Sequence, residues 1–87
     1  MKNLYIFSRV PDERKLGFLR KIVDKEDAIV FIQDGVYALL HHKLDLAQPI
    51  YILKSDVVAR GIKTEATQIT YAKLIDLIFE YQRSITL

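Results

Sequence analysis

The stretch AIVFI at residues 28–32, followed directly by QDG at residues 33–35, decides the fold of this chain. The five apolar residues include two isoleucines, a valine and a phenylalanine, and polar residues flank them on both sides. A short continuous run of this kind is typical of a strand that is buried on both faces, as in parallel sheets. We therefore expect a central strand at Ala28–Ile32 that ends in the Gln33–Gly35 turn.

Further strand and helix patterns alternate on either side of this segment. Additional strands are predicted at Leu4–Phe7, Ile50–Leu53, Thr67–Ile69 and, at a sheet edge, Ser84–Leu87. The intervening helices are predicted at about Pro11–Val23, from Val36 to near His42 or Lys43, from a cap at Ser55 or Asp56 to Gly61, and from an N-cap at Thr70 onward. The last helix is expected to bury the apolar stripe Tyr71, Leu74, Ile75, Ile78 and Tyr81.

Strand–helix alternation with short connections predicts an α/β fold. Such connections favour a mostly parallel sheet of four or five strands with helices on both faces, in three α/β/α layers. The 87 residues are expected to form one domain, spanning residues 1–87.

The composition points to a protein that contacts other subunits. Hydrophobic residues make up 51% of the chain, and a domain this small is often marginal alone, so we expect part of its surface to be covered by another subunit. The net charge of +2 is too small to predict direct nucleic-acid binding. The apolar runs are too short to span a bilayer, and no export signal is visible, so we expect a cytoplasmic protein.

The turn Gln33-Asp34-Gly35 is the first candidate site, because ligands of open parallel sheets lie beyond the carboxyl ends of the strands. Gly35 would permit a tight turn into the next helix. Asp34 has two interpretations: its carboxylate caps that helix, or it contacts a ligand directly.

Asp56, Arg60 and Gly61 form the second candidate site. Asp56 and Arg60 are four residues apart, so they share a helix face and can pair. The pair either forms a local salt bridge before a glycine helix stop or faces a partner subunit across the strand ends.

The sequence predicts no enzyme, metal site or cofactor. It contains no cysteine, and it lacks phosphate-binding, dinucleotide-binding and serine-nucleophile motifs. His41 and His42 are adjacent, so on a helix they point about 100° apart and are poorly placed to bind one ion.

The motifs at the two candidate sites resemble the DsrH/TusB family of small sulfur-relay proteins. The resemblance rests on Ile32–Val36, on Tyr51 and Leu53, and on Asp56-x-x-Ala59-Arg60-Gly61, in the same order and spacing. It covers essentially the whole chain and implies a fold like that of the DsrE/DsrF/DsrH group.

Membership of that group implies a role in an assembly of three related subunits, each present twice. One branch passes persulfide sulfur toward 2-thiolation of the tRNA wobble uridine, and the other serves bacterial sulfur oxidation. The sulfur-carrying cysteine lies mainly on the DsrE-type subunit, so a chain without cysteine falls among the non-carrier members.

Two functions therefore remain open. The first is a non-catalytic subunit that scaffolds a cysteine-bearing DsrE-like partner, alongside a DsrF-like subunit, for tRNA thiolation. The alternative is a stand-alone homo-oligomer, expected to be a dimer, that binds a small anionic or nucleotide ligand near Ser8, Gln33, Asp34 and Asp56.

Overall fold

A computed structural model describes residues 2–87. Within that range the elements are β1 (Asn3–Phe7), α1 (Glu13–Ile22), β2 (Ala28–Phe31), a 3₁₀ turn (Gln33–Tyr37), α2 (Ala38–His41), β3 (Ile50–Leu53), α3 (Lys54–Ala59), β4 (Thr67–Ile69), α4 (Tyr71–Glu80) and β5 (Arg83–Thr86). The strands form one parallel sheet in the order β4-β3-β2-β1-β5. The predicted α/β class, with a parallel sheet flanked by helices, is confirmed.

Strand β2 occupies the centre of the sheet, as its apolar run predicted. All four of its residues are fully buried, and the strand ends at Phe31, one residue earlier than expected. Val30 lies opposite Ile6 of β1 on one side and Tyr51 of β3 on the other.

Successive residues of the strands face two separate cores. Ile29 and Phe31 point into the first, where the Phe31 ring stacks on Phe7 with centroids 5.4 Å apart. Ala28 and Val30 point into the second. The first core is closed chiefly by residues of α1, the 3₁₀ turn, α2 and α3, and the second by residues of α4.

The handedness of the connections explains this unequal division. Helices α1, α2 and α3 link strands that advance from β1 toward β4, whereas α4 leads from β4 back to β5 at the far edge. Parallel crossovers are almost always right-handed, so a connection that runs in the reverse direction crosses the opposite face. The buried helical residues of the second core are Leu74 and Leu77, both from α4.

The prediction of a helix from Val36 to His42 or Lys43 is wrong in both the type and the extent of the element. The chain forms the 3₁₀ turn and then the single turn of α2, and His42 is already extended (φ −134°, ψ 145°). Tertiary contacts override the helical pattern here, because the His42 Nδ1 atom lies 3.0 Å from Glu13 Oε1 of α1 and Leu44 is buried in the first core.

Helix α4 begins as expected but buries a different stripe. The Thr70 hydroxyl caps it by accepting a hydrogen bond from the Lys73 amide at 3.2 Å. The inward positions are Leu74 and Leu77, whereas three of the expected stripe residues are exposed: Tyr71, Ile75 and Ile78.

Two oppositely charged i,i+3 combinations in and just after α4 form no ion pair among the described residues. Lys73 and Asp76 do not pair, nor do Glu80 and Arg83, and Glu80 instead lies 3.6 Å from the Lys2 ammonium group.

A buried carboxylate fixes the start of β2. The segment 24–27 has the charged composition of a solvent-exposed loop, yet Asp27 is almost completely buried. Its Oδ1 accepts a hydrogen bond from the Asn3 amide and its Oδ2 one from the Asp24 amide, each at 2.8 Å. The carboxylate thereby ties the start of β1 and the loop after α1 to the central strand.

We expect Asp27→Asn to lower the free energy of unfolding by about 2 kcal/mol, the scale of hydrogen bonds to a charged group. Asparagine keeps one acceptor oxygen and sets an amide N–H against the other backbone donor. The measurement is urea denaturation at neutral pH, and the control is Asp24→Asn, whose side chain is exposed. Equal stability of the two variants would contradict this role.

Candidate functional site

Three loops at the carboxyl ends of neighbouring strands are joined by hydrogen bonds. They are Ser8–Val10 after β1, Gln33–Gly35 after β2 and the start of α3 after β3. The Gly35 amide donates to the Ser8 carbonyl at 3.2 Å, and the Gln33 amide donates to Asp56 Oδ2 at 2.7 Å. The structure thus brings both predicted candidate sites together at one edge of the sheet.

Gly35 is required by close packing of the backbone. A Cβ atom at this position would overlap the Phe7 carbonyl oxygen and lie 3.0 Å from its carbonyl carbon. The residue with left-handed backbone geometry is Gln33, at φ 51°. The turn is therefore made at Gln33, and Gly35 lets it lie directly on the end of β1.

Asp34 does not cap the following turn. Residue Ile32 is at the N-cap position of the 3₁₀ turn, which has no side-chain cap hydrogen bond. Instead Asp34 Oδ1 accepts hydrogen bonds from Arg60, from Nε at 3.2 Å and from Nη2 at 3.1 Å. The capping interpretation is wrong because Arg60, 26 residues away in sequence, takes the carboxylate.

Asp56 connects the turn to helix α3. Its Oδ1 lies 3.4 Å from Arg60 Nη1, which confirms the predicted i,i+4 pair, and its Oδ2 holds the Gln33 amide. Neither Ser55 nor Asp56 caps α3, because Leu53 occupies the N-cap position and has no side-chain cap hydrogen bond. The Asp56 carboxylate instead accepts a hydrogen bond from the Gln33 amide of the neighbouring loop.

We call Asp34, Asp56 and Arg60 the carboxylate–arginine cluster. Its side chains differ in exposure: Asp34 is 73% exposed, Arg60 23% and Asp56 15%. Desolvation lowers the pKa of Arg60, but the hydrogen bond and charge of Asp34 and the charge of Asp56 outweigh it and raise the pKa on balance. The guanidinium stays protonated, and two carboxylates against one cation leave a net charge of −1 with Asp34 outermost.

Gly61 ends α3 as predicted. Its φ is 62°, its amide donates to the Val58 carbonyl at 3.2 Å, and the Ile62 amide donates to the Val57 carbonyl at 3.1 Å. These two bonds are those of a Schellman motif, in which a left-handed residue closes the helix. The motif fixes Arg60, the preceding residue, at the helix end.

A separate cleft of about 290 Å³ lies at the end of β1. The loop Ser8–Pro11 lines it together with Phe7, Lys15 and Leu87. From the sequence, this loop was a candidate part of a site only because it follows a predicted strand.

The described residues 2–87 hold no group of three or more His, Asp or Glu side chains that could bind a metal ion. None of the helices in that range is long and apolar enough to cross a membrane.

Comparisons with known proteins give a consistent result. The family model described as "DsrH like protein" matches residues 10–84. Protein TusB of Pectobacterium carotovorum is 37% identical, over 94% of this chain and 97% of the relative. Protein TusB of Yersinia enterocolitica is 34% identical over the same shares.

A solved structure is similar over nearly the same length. Protein Tm0979 from Thermotoga maritima, determined by solution NMR, has a TM-score of 0.69 and 28% identity. The similarity covers 92% of this chain and 93% of that one.

We expect Gly35→Ala to lower the free energy of unfolding by about 1–3 kcal/mol, because the added methyl group forces backbone to move. The matched control is Gly17→Ala in α1, where a Cβ meets nothing within 4 Å. That change should raise stability by up to about 1 kcal/mol, the helix-propensity difference. Urea denaturation measures both, and a neutral Gly35→Ala variant would contradict the close approach.

The two carboxylates of the cluster should differ in their effect on stability. Asp56→Asn is expected to cost about 1–3 kcal/mol, since it weakens bonds to a backbone amide and to Arg60. Asp34→Asn is expected to cost less than about 1 kcal/mol, because its partner interaction is exposed to solvent. Thermal or urea unfolding of the pair tests this order, and the reverse order would be inconsistent with the geometry.

Proposed function

This chain belongs to the DsrH family, as its motifs predicted, and from that membership we propose that it is a non-catalytic subunit of a cytoplasmic sulfur relay. In this role it supports 2-thiolation of the tRNA wobble uridine by holding a cysteine-bearing DsrE-like partner in place. A DsrF-like subunit completes the proposed complex.

The observation that carries the proposal is near full-length similarity to proteins named TusB in a chain that has no cysteine. The identity of 34–37% extends over 94% of the chain, so it includes the three strand-end loops and α4. Persulfide sulfur is carried on a thiol, and this sequence supplies none. The sulfur must therefore be carried by another subunit.

The carboxylate–arginine cluster supports docking at the strand ends. Asp56 and Arg60 are held on several partners, so the loop conformation is fixed before any partner binds. Asp34 and the Gln33 side chain are exposed at the tip of this rigid loop. A preorganised polar tip loses little conformational freedom on association.

The same geometry favours docking over the alternative of an anion or nucleotide site at this position. The only guanidinium of the cluster already donates to both carboxylates. An incoming phosphate would meet the Asp34 charge and would have to displace it from Arg60. A basic or polar protein surface is the better complement to this edge.

The test is binding to a DsrE-like, cysteine-bearing protein from the same cell, measured by calorimetry. Asp34→Lys reverses the exposed charge and should weaken binding by about tenfold or more, the scale of a buried charge at an interface. Glu26→Lys is the matched control, because it makes the same exposed charge change ahead of β2, at the opposite edge of the sheet. It should leave the affinity nearly unchanged.

Thiolation in the cell supplies the second readout. Deleting the gene for this chain should lower 2-thiouridine in total tRNA, measured by mass spectrometry of nucleosides, and the wild-type chain should restore it. Intact thiolation after deletion, together with no binding to the DsrE-like protein, would refute the proposed function.

A further inference from the structure

The cleft at the end of β1 lies where the strand order of the sheet reverses. The chain advances from β1 through β2 and β3 to β4, and β5 then pairs on the other side of β1. Open parallel sheets bind their ligands outside the carboxyl ends of the strands, at the point of this reversal. The cleft of about 290 Å³ occupies that point, because its lining includes the loop after β1 and Leu87, the residue that follows β5.

Backbone hydrogen bonds hold both sides of the cleft in place. On one side the Ser8 carbonyl accepts a hydrogen bond from the Gly35 amide at 3.2 Å, which fixes the loop after β1. On the other side the Leu87 amide donates to the Ile6 carbonyl at 2.8 Å. The cleft is therefore formed before any ligand enters, and a preformed site loses little conformational freedom on binding.

Two cationic side chains line the cleft, Arg9 from the loop after β1 and Lys15 from the first turn of α1. Both side chains are exposed. Among residues 2–87 the ion pairs use Lys2, His42 and Arg60 as their cations, so no carboxylate in that range neutralises Arg9 or Lys15. The two charges are therefore available to an anion in the cleft.

The side chains, and not the end of helix α1, are the anion-binding groups of this cleft. Asp12 caps the helix, because its Oδ1 accepts a hydrogen bond from the Lys15 amide at 2.8 Å. Asp12 is exposed and does not line the cleft. Two cations and this one carboxylate leave a local net charge of +1. Ser8 also lines the cleft, and its hydroxyl group is a neutral hydrogen-bond donor.

We propose that this cleft binds the phosphate group of a small phosphomonoester, held between Arg9 and Lys15. Such a group carries a charge of about −1.5 to −2 at pH 7, which two cations match better than they match a singly charged anion. The Arg9 guanidinium offers a planar fork of donors to the phosphate oxygens, and the Lys15 ammonium group acts as a point charge. The apolar lining residues Phe7, Val10 and Pro11 are left to contact the organic part of the ligand.

The first experiment titrates the full chain with glycerol 3-phosphate at constant ionic strength, followed by two-dimensional amide NMR. We expect saturable shifts that are largest in the loop after β1. Arg9→Gln and Lys15→Gln should each weaken binding by about three- to tenfold, between the effect of an exposed ion pair and that of a hydrogen bond to a charged group. Arg14→Gln and Lys21→Gln are the matched controls, because they remove the same charges from exposed positions of α1 that do not line the cleft. They should change the affinity by less than about twofold, and thermal unfolding checks that each variant keeps its fold.

The second experiment distinguishes a small phosphomonoester from the backbone of a nucleic acid. The probe is a short oligouridylate without terminal phosphates, in which every phosphate is a diester with a single negative charge. We expect it to bind at least about tenfold more weakly than glycerol 3-phosphate, because each of its phosphates satisfies only one of the two cations. Glycerol alone should cause no saturable shift.

Three results would overturn the phosphomonoester site. They are no saturable binding of glycerol 3-phosphate, shifts centred away from the cleft, and equal weakening by all four variants, which would indicate attraction to the overall charge alone. Tighter binding of the oligouridylate, weakened by Arg9→Gln, would also overturn it and would assign the cleft to a nucleic acid.

The site is independent of the proposed relay function. Neither Asp34 nor any other member of the carboxylate–arginine cluster lines the cleft. Phosphomonoester binding by a chain that ignores a DsrE-like protein would support the site while refuting the proposed function. Docking of that protein without any phosphomonoester binding would do the reverse.

Discussion

The close approach of the Gly35 backbone to the end of β1 is the constraint on which the strand-end site depends. It leaves no room for a side chain at Gly35, and it seats the turn through hydrogen bonds from Ile32 to Phe7 and from Gly35 to Ser8. With the turn held there, the Gln33 amide reaches Asp56 and the Asp34 carboxylate reaches Arg60. Charged residues that are far apart in sequence thereby form one rigid edge.

The topology of the sheet has a second consequence, on the opposite face. Three helices follow the strands in one direction and one returns, so the right-handed rule leaves the buried helical residues of the second core to α4. A single helix is about 10–12 Å across with its side chains, narrower than a sheet of five strands spaced about 4.8 Å apart. The high apolar content of the sequence is accounted for in part by side chains that α4 leaves exposed.

The strands of the sheet were predicted well from the sequence, because a buried strand is recognisable from the apolar residues of its own segment. Correct predictions include the strand at 28–32, strand β4, the Thr70 cap and the helix end at Gly61, and each depends on neighbouring residues.

The predictions that were wrong concern features that depend on residues far away in the sequence. Asp34 has the local features of a cap, and only the folded chain brings Arg60 to it. The stripe of α4 contains more apolar residues than one face can bury, so periodicity alone could not choose Leu77 over Ile75. The buried Asp27 also lay in a segment whose composition is that of a loop.

The proposed scaffold role joins these features: a chain with no thiol, a rigid polar edge and a separate apolar face. Its central claim is that the chain promotes sulfur transfer without carrying sulfur. The most direct measurement loads a DsrE-like protein with radiolabelled persulfide and follows the label to a downstream thiol acceptor, with and without this chain. We expect faster transfer in its presence and no label on the chain itself. A transfer rate that is the same with and without the chain would contradict it.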